Sequence, residues 1–355
     1  MNTAIFDRKK FTMIYIAALS VLAMVSMALM LVYASRKVVI VSAEEAEALA
    51  KEKATTELTE SVKSGKTLIL EVRSTNDDGI INISLPSHVG REDIGINVRP
   101  DLKKTSLIFN RDVSDHFIAL PPWGDFTGMS SVTIESDENV TVLSFVTRDI
   151  LYPDYEFLGG TLSLSFKPIE HERPAVIIDA RYGGAQPGTM AGQTAEKDIN
   201  LRLANIIAQQ GKDKDYKIYL TRTGDETLST EERLNILNLL DADYYIELSL
   251  DSDVEDTKAF GMSAVYNSSY YRNELENVDF ADSILKNAAL FASDRANGLV
   301  AADEEDVILM ALKIASARFN AGTITNSREA DLLLNDEYLG RIAEGILNAL
   351  DGVVK

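Results

Sequence analysis

The sequence contains no cysteine. That excludes structural disulfides, thiolate zinc sites and cysteine nucleophiles. Histidine is scarce as well: three in 355 residues. They are His88, His116 and His171, and all precede Pro174. The chain beyond Pro174 therefore offers neither imidazole nor thiolate to a metal. Positive charge is short: 35 Lys and Arg stand against 55 Asp and Glu, a net charge of -20. Nucleic-acid binding needs a basic face, so this balance argues against it and reads as a solubility device. Tryptophan occurs once, at Trp123. Preceded by Pro121 and Pro122, it reads as a packing anchor, with glycan stacking as the alternative.

One long hydrophobic run is present. Residues 11–34 carry no charge. At about 1.5 Å per helical residue, such a run spans a bilayer core of about 30 Å. Arg8, Lys9 and Lys10 precede it and Arg36 and Lys37 follow, which predicts a cytoplasmic N-terminus over 1–10. A cleaved signal peptide ending at Val32-Tyr33-Ala34 is the alternative. Signal cores usually run about 7–15 residues, so an uncleaved single-pass anchor in the cell membrane is expected. In either case the C-terminal bulk is extracytoplasmic.

Ser42 and Glu45 form a capping-box pattern before Ala, Glu, Lys and Leu, and Gly65 is a stop signal. Residues 35–65 read as a helical spacer. From 66 to 170 the pattern changes to short β runs, at 67–72, 80–85, 106–109, 131–135, 141–146 and 161–166. Their alternation of apolar and polar residues predicts a small antiparallel sandwich.

The organising stretch follows. Ala175-Val176-Ile177-Ile178 is a buried-strand pattern that ends at Asp179. Gly183, Gly184 and Gly188 allow tight turning. Glu196-Lys197-Asp198 then opens a helix with apolar Ile199, Leu203, Ile206 and Ile207. Strand, glycine loop and helix together place polar groups at the carboxyl end of a strand, where α/β sheets build sites. Further strands at 217–220, 244–250 and 261–266 and helices at 274–293 and 338–350 predict a mostly parallel sheet flanked by helices over 174–355. The expected fold is thus α/β, preceded by a β-sandwich and a transmembrane helix.

At Asp179-Ala180-Arg181-Tyr182-Gly183-Gly184 and Glu196-Lys197 the chain resembles the zinc-dependent N-acetylmuramoyl-L-alanine amidases. These cleave the bond between muramic acid and the stem peptide of peptidoglycan. Their first motif reads roughly DPGHGG, followed by EK. Thr221-Arg222, Asp225 and Arg233 match later positions, as does Gly322 with Asn326. The β region is similar in strand order to AMIN-type domains, which target some amidases to the envelope. The resemblance implies a zinc cofactor held by two histidines and a glutamate. Here those positions are Tyr182, Ser249 and Glu196, and the general-base position is Asn320. Only Glu196 is retained. Serine and asparagine are poor zinc ligands, and asparagine is no general base near neutral pH.

The residues thus predict an amidase-like pseudoenzyme with no zinc. Its cleft is expected at Tyr182, Glu196, Ser249, Asp251, Asn320 and Arg233, with the Tyr182 hydroxyl bonded to Glu196. Expected partners are peptidoglycan or an envelope or division protein. Two alternatives stand. One is an active amidase with a hard metal on Glu196, Glu247 and Asp251. The other is a purely structural scaffold, in which Glu196 is only a charge at a helix N-terminus.

Overall fold

A computed structural model describes residues 65, 67–137, 139–169, 173–253, 255–256, 258–272 and 275–354. The expected cytoplasmic segment, the 11–34 anchor, nearly all of the spacer and His171 lie outside the described residues. Among the described residues, no helix is long and apolar enough to cross a membrane.

The first lobe is built from β1 (Leu68–Ile69), β2 (Ile80–Ser84), β3 (Ile94–Arg99), β4 (Lys104–Phe109), β5 (Trp123–Gly124), β6 (Met129–Ser136), β7 (Thr141–Thr147), β8 (Leu151–Leu158) and β9 (Thr161–Pro168), with one short helix, α1 (Ser114–Ala119). The strands form two antiparallel sheets, ordered β1-β6-β7-β4-β3 and β5-β2-β9-β8. Strand alternation turns Ile81, Ile83, Val132, Ile134, Leu143, Phe145, Leu162 and Leu164 into one core shared by both sheets. The 67–72 run contracts to the two residues of β1. Strands β3 and β8 escape the sequence pattern because Asn97, Asp154 and Glu156 dilute their apolar character. Trp123 is not a core anchor: it lies on the edge strand β5, 42% exposed, while Phe126 enters the core in its place.

The second lobe contains β10 (Ala175–Ala180), β11 (Met190–Ala191), β12 (Thr194–Ala195), β13 (Lys217–Leu220), β14 (Tyr244–Asp251), β15 (Met262–Tyr266), β16 (Tyr271–Arg272), β17 (Leu275–Glu276), β18 (Ala296–Ala301) and β19 (Ala315–Thr323). Its helices are α2 (Glu196–Gln210), α3 (Thr230–Leu239), α4 (Asn277–Ala292), α5 (Val307–Ala311), α6 (Ser327–Leu333) and α7 (Asp336–Val353). The main sheet has the order β13-β10-β14-β19-β15-β18. It is mixed, which corrects the expectation of a mostly parallel sheet: β15 runs antiparallel to β19. The chain leaves β14 at the carboxyl edge, and among the described residues of the following loop no helix carries it back across. It therefore re-enters in the opposite direction, since only a crossover restores parallel pairing.

Helices cover both faces of this sheet. Val176, Ile178, Ile246, Leu248, Ala317 and Phe319 face α2, α4 and α7. Ile177, Tyr245 and Val265 face α3 and α5. Because side chains alternate, Asp179, Glu247, Ser249, Asp251, Arg318, Asn320 and Ser263 all fall on the α3 face. This parity sets up the site.

Candidate functional site

Two polar rows cross the α3 face near the carboxyl end of the sheet. Strand register defines them. In the lower row Asp179 lies opposite Glu247, Glu247 opposite Arg318 and Arg318 opposite Val265. In the upper row Ser249 lies opposite Asn320, and Asn320 opposite Ser263.

The lower row is a closed ion network. Asp179 is fully buried and accepts from the Thr221 hydroxyl at 2.5 Å, from the Tyr245 hydroxyl at 2.5 Å and from the Arg233 guanidinium. Glu247 accepts from Arg318 Nε at 2.5 Å and lies 3.5 Å from Arg181 Nε. Arg318 also meets Asp306 at 2.6 Å. Each buried charge has a counter-charge and hydrogen bonds, as burial requires. Burial, with Asp179 and Glu247 close by, pushes the Tyr245 hydroxyl well above the usual phenol range. Arg233 belongs here and not in the cleft. It rises from α3, whose start is fixed by the Ser229–Glu232 capping box.

The upper row holds the remaining candidates. Glu196, at the first turn of α2, reaches past the end of β10 and is 1% exposed. One carboxylate oxygen accepts from the Ser249 hydroxyl at 2.8 Å and from the Leu250 N–H at 2.9 Å. The other accepts from the Thr189 N–H at 3.0 Å. Tyr182 is not among these donors. It stands beside Glu196, and its ring and the carboxylate flank Gly188 from two sides: a Cβ there would fall 2.7 Å from Tyr182 Cδ2 and 2.8 Å from Glu196 Oε2. The Tyr182 ring instead carries the Arg181 guanidinium 4.9 Å above it. The expected Tyr182–Glu196 hydrogen bond is therefore replaced by a Ser249–Glu196 bond.

Asn320 donates to Asp251 at 2.7 Å and to the Ser263 hydroxyl at 2.9 Å, and Ser263 donates to Asp251 at 2.5 Å. Burial, together with nearby Glu196, holds the Asp251 carboxyl above its ordinary range although Ser263 and Asn320 both donate to it. Ser263 is a site residue that the sequence reading missed. Its signal, a serine in an otherwise apolar strand, becomes meaningful only once β15 is placed beside β19.

The glycine loop is held from outside. Tyr182, Gly183 and Gly184 all adopt positive φ, at 66°, 142° and 55°. A Cβ on Gly183 would lie 2.1 Å from Glu226 O, so only glycine lets the 221–227 loop approach. The fully buried Arg222 bonds the carbonyls of Ala180, Gly224 and Lys197 at 2.8–2.9 Å. Lys197 bonds Gly184 O and Asp225 at 2.9 and 2.6 Å.

This donor set does not fit zinc. At the three ligand positions stand a phenol, a hydroxyl and one carboxylate whose oxygens already accept three hydrogen bonds. Zinc sites are built from imidazole, thiolate and free carboxylate. Among the described residues, no group of three His, Cys, Asp or Glu side chains is placed to hold a metal ion. Glu196, Glu247 and Asp251 do not converge either. Glu247 lies one row below, bound to Arg318, which corrects that alternative ligand set.

The second lobe is similar to known proteins. Residues 176–352 match the Amidase_3 family, described as N-acetylmuramoyl-L-alanine amidase. An uncharacterized protein, YqiI of Bacillus subtilis (strain 168), is 27% identical over 194 residues, covering 52% of this chain and 86% of that protein. The N-acetylmuramoyl-L-alanine amidase CwlM of Bacillus licheniformis is 26% identical over 184 residues, covering 49% of this chain and 66% of that protein. A solved N-acetylmuramoyl-L-alanine amidase from Clostridium difficile 630 is 24% identical, with a TM-score of 0.48 over 51% of this chain and 96% of that one. Through its second lobe, this chain belongs to the N-acetylmuramoyl-L-alanine amidase family.

Proposed function

We propose that this chain is a membrane-anchored, extracytoplasmic wall protein whose amidase-like lobe binds peptidoglycan without cleaving it, and so acts in regulating wall remodelling. One observation carries the reading: the retained Glu196 carboxylate is consumed by hydrogen bonds from Ser249, Leu250 and Thr189. Amide hydrolysis in this family needs a metal-activated water and a proton-shuttling carboxylate. Here the shuttle position is Asn320, committed to Asp251 and Ser263. Binding the wall by contrast needs neither of these groups, only surface chemistry that the wall can contact. The 11–34 segment supplies the anchor, and the similarity to amidases such as CwlM points to peptidoglycan as the ligand.

The test uses the full chain in detergent. It is expected to sediment with purified peptidoglycan, to retain no zinc after metal exposure and desalting, and to release no stem peptide. Stoichiometric zinc, or stem-peptide release abolished by Glu196→Gln, would refute the non-hydrolytic reading. A purely structural scaffold is distinguished by Tyr182→Ala. If the cleft is used, wall binding falls while the chain stays folded. Unchanged wall binding would favour the scaffold.

A further inference from the structure

Beside the upper row, the carboxyl edge opens into a second cleft of ≈ 590 Å³, lined among others by Phe260, Asp294, Arg295, Arg328, Glu329 and Arg341. That size suits a small ligand. It is also where a chain of net charge -20 gathers three arginines against two carboxylates. Arg295 lies over the Phe260 ring at 5.4 Å, and Arg341 over Tyr338 at 5.7 Å. Stacking orients a guanidinium so that its N–H edge is presented to an oxyanion. Arg295 and Arg328 are exposed and make no ion pair among the described residues, whereas Arg341 also pairs with Glu337 at 3.1 Å.

The two acids are already engaged. Asp294 accepts from the Tyr338 hydroxyl, and Glu329 accepts from the N–H groups of Gly261 and Thr323 at 2.8 and 2.7 Å. Gly261 is two residues from Ser263, and Thr323 three from Asn320. Glu329 therefore sits at the wall between this cleft and the upper row. Phe260, 45% exposed, adds an apolar surface at the rim.

We propose that this cleft is a second binding site, one that takes the carboxylate of a small peptide-bearing ligand between Arg295 and Arg328. The proposal rests on the wall-binding reading above and names the part of the ligand recognised. The choice of carboxylate over a polyphosphate follows from charge. The carboxylates beside the arginines leave room for a single negative group, and the strongly acidic chain repels a polyanion. A stem peptide presents such a group together with amides and short apolar side chains, which suit Phe260.

The test titrates the full chain in detergent with a soluble muramyl dipeptide carrying one free carboxylate, and with its carboxamide. The wild type is expected to bind the acid more tightly than the amide. Arg328→Ala and Arg295→Ala should each weaken the acid by about tenfold, the scale of losing a charge-assisted bond, and leave the amide unchanged. Arg328→Lys, which keeps the charge without the fork, should fall between. Both positions are exposed, and thermal melts check that the variants fold. Equal affinity of the wild type and both alanine variants for the acid would overturn the site. So would arginine-dependent binding of a glycerol-phosphate oligomer in place of the dipeptide. If the wild type sediments with peptidoglycan yet ignores the dipeptide, this site fails and the wall-binding reading stands. If it does neither, both fall.

Discussion

At the scale of single residues, the site is defined by who donates to Glu196. Three donors converge on one buried carboxylate. Ser249→Ala removes one of them, and a net loss of about 1 kcal/mol is expected in urea denaturation. Glu196→Gln should cost more, about 1–3 kcal/mol, because the amide nitrogen must face an N–H or hydroxyl donor it cannot accept from. A larger loss for Ser249→Ala than for Glu196→Gln would contradict this arrangement. Asp251 provides a pH signature. Its folded carboxyl holds the proton more tightly than the unfolded one, because burial and then Glu196 disfavour the charge. The folded state therefore loses stability as pH rises from the ordinary aspartate range through the raised value. Denaturation of the wild type and Asp251→Asn over a pH series should show that decline in the first and its absence in the second.

At the scale of elements, the loop 182–188 and the helix pair α4–α7 are two places where a methyl group decides the outcome. Gly188 has φ of 69°, with Tyr182 and Glu196 against the position a Cβ would occupy. Gly345 on α7 has no unusual dihedral, but its Cβ would meet Asn287 O at 2.5 Å and Ala288 Cα at 2.6 Å on α4. Gly345→Ala is therefore expected to pry the helices apart and to destabilise by about 1–3 kcal/mol, as overpacking does. The check is a lowered midpoint of chemical denaturation, with Gly352→Ala as the control, since a Cβ there meets nothing within 4 Å. Much at this scale was legible in the chain. The β13 strand follows from its apolar run, and the start of α2 from the charged turn Glu196-Lys197-Asp198 ahead of its apolar face. Strand β18 was not legible, because Ala296, Asn297 and Gly298 resemble a turn. It forms only because β15 leaves an edge for it to pair with.

At the scale of the whole molecule, a buried arginine, a backbone hydrogen bond and a ring contact join the two lobes. Arg99, at the end of β3, contacts Asp101 at 2.6 Å within its own lobe and Glu226 and Glu232 at 2.9 and 2.8 Å across the junction. Val98 N–H donates to Thr223 Oγ1 at 2.8 Å, and Tyr152 packs on Tyr219 with ring centroids 4.9 Å apart. All these partners in the second lobe lie on β13, on α3 or in the 221–227 loop, which in turn supports Gly183. The β lobe thus braces the site from behind. Arg99→Ala is expected to cost about 2–3 kcal/mol, as loss of charged hydrogen bonds does, and to split one calorimetric transition into two. Glu232, held down at about 2 by the Ser229 N–H and hydroxyl and then Arg99, keeps this junction charged at neutral pH. The bond is lost only as pH falls from the ordinary glutamate range through that value.

The amino-acid sequence alone determined the frame: strand, glycine loop and helix in order, one carboxylate at the ligand positions, and no imidazole after Pro174. These follow from local chemistry, which a linear chain displays. Tertiary structure decided the rest. It put Arg233 and Glu247 in a lower ion network, gave Glu196 to Ser249 instead of Tyr182, and brought Ser263 to Asn320. Each of those outcomes depends on which strands are neighbours and in what register. That is set by the packing of helices on both faces of the sheet and by the direction in which β15 returns, neither of which is encoded within any one segment.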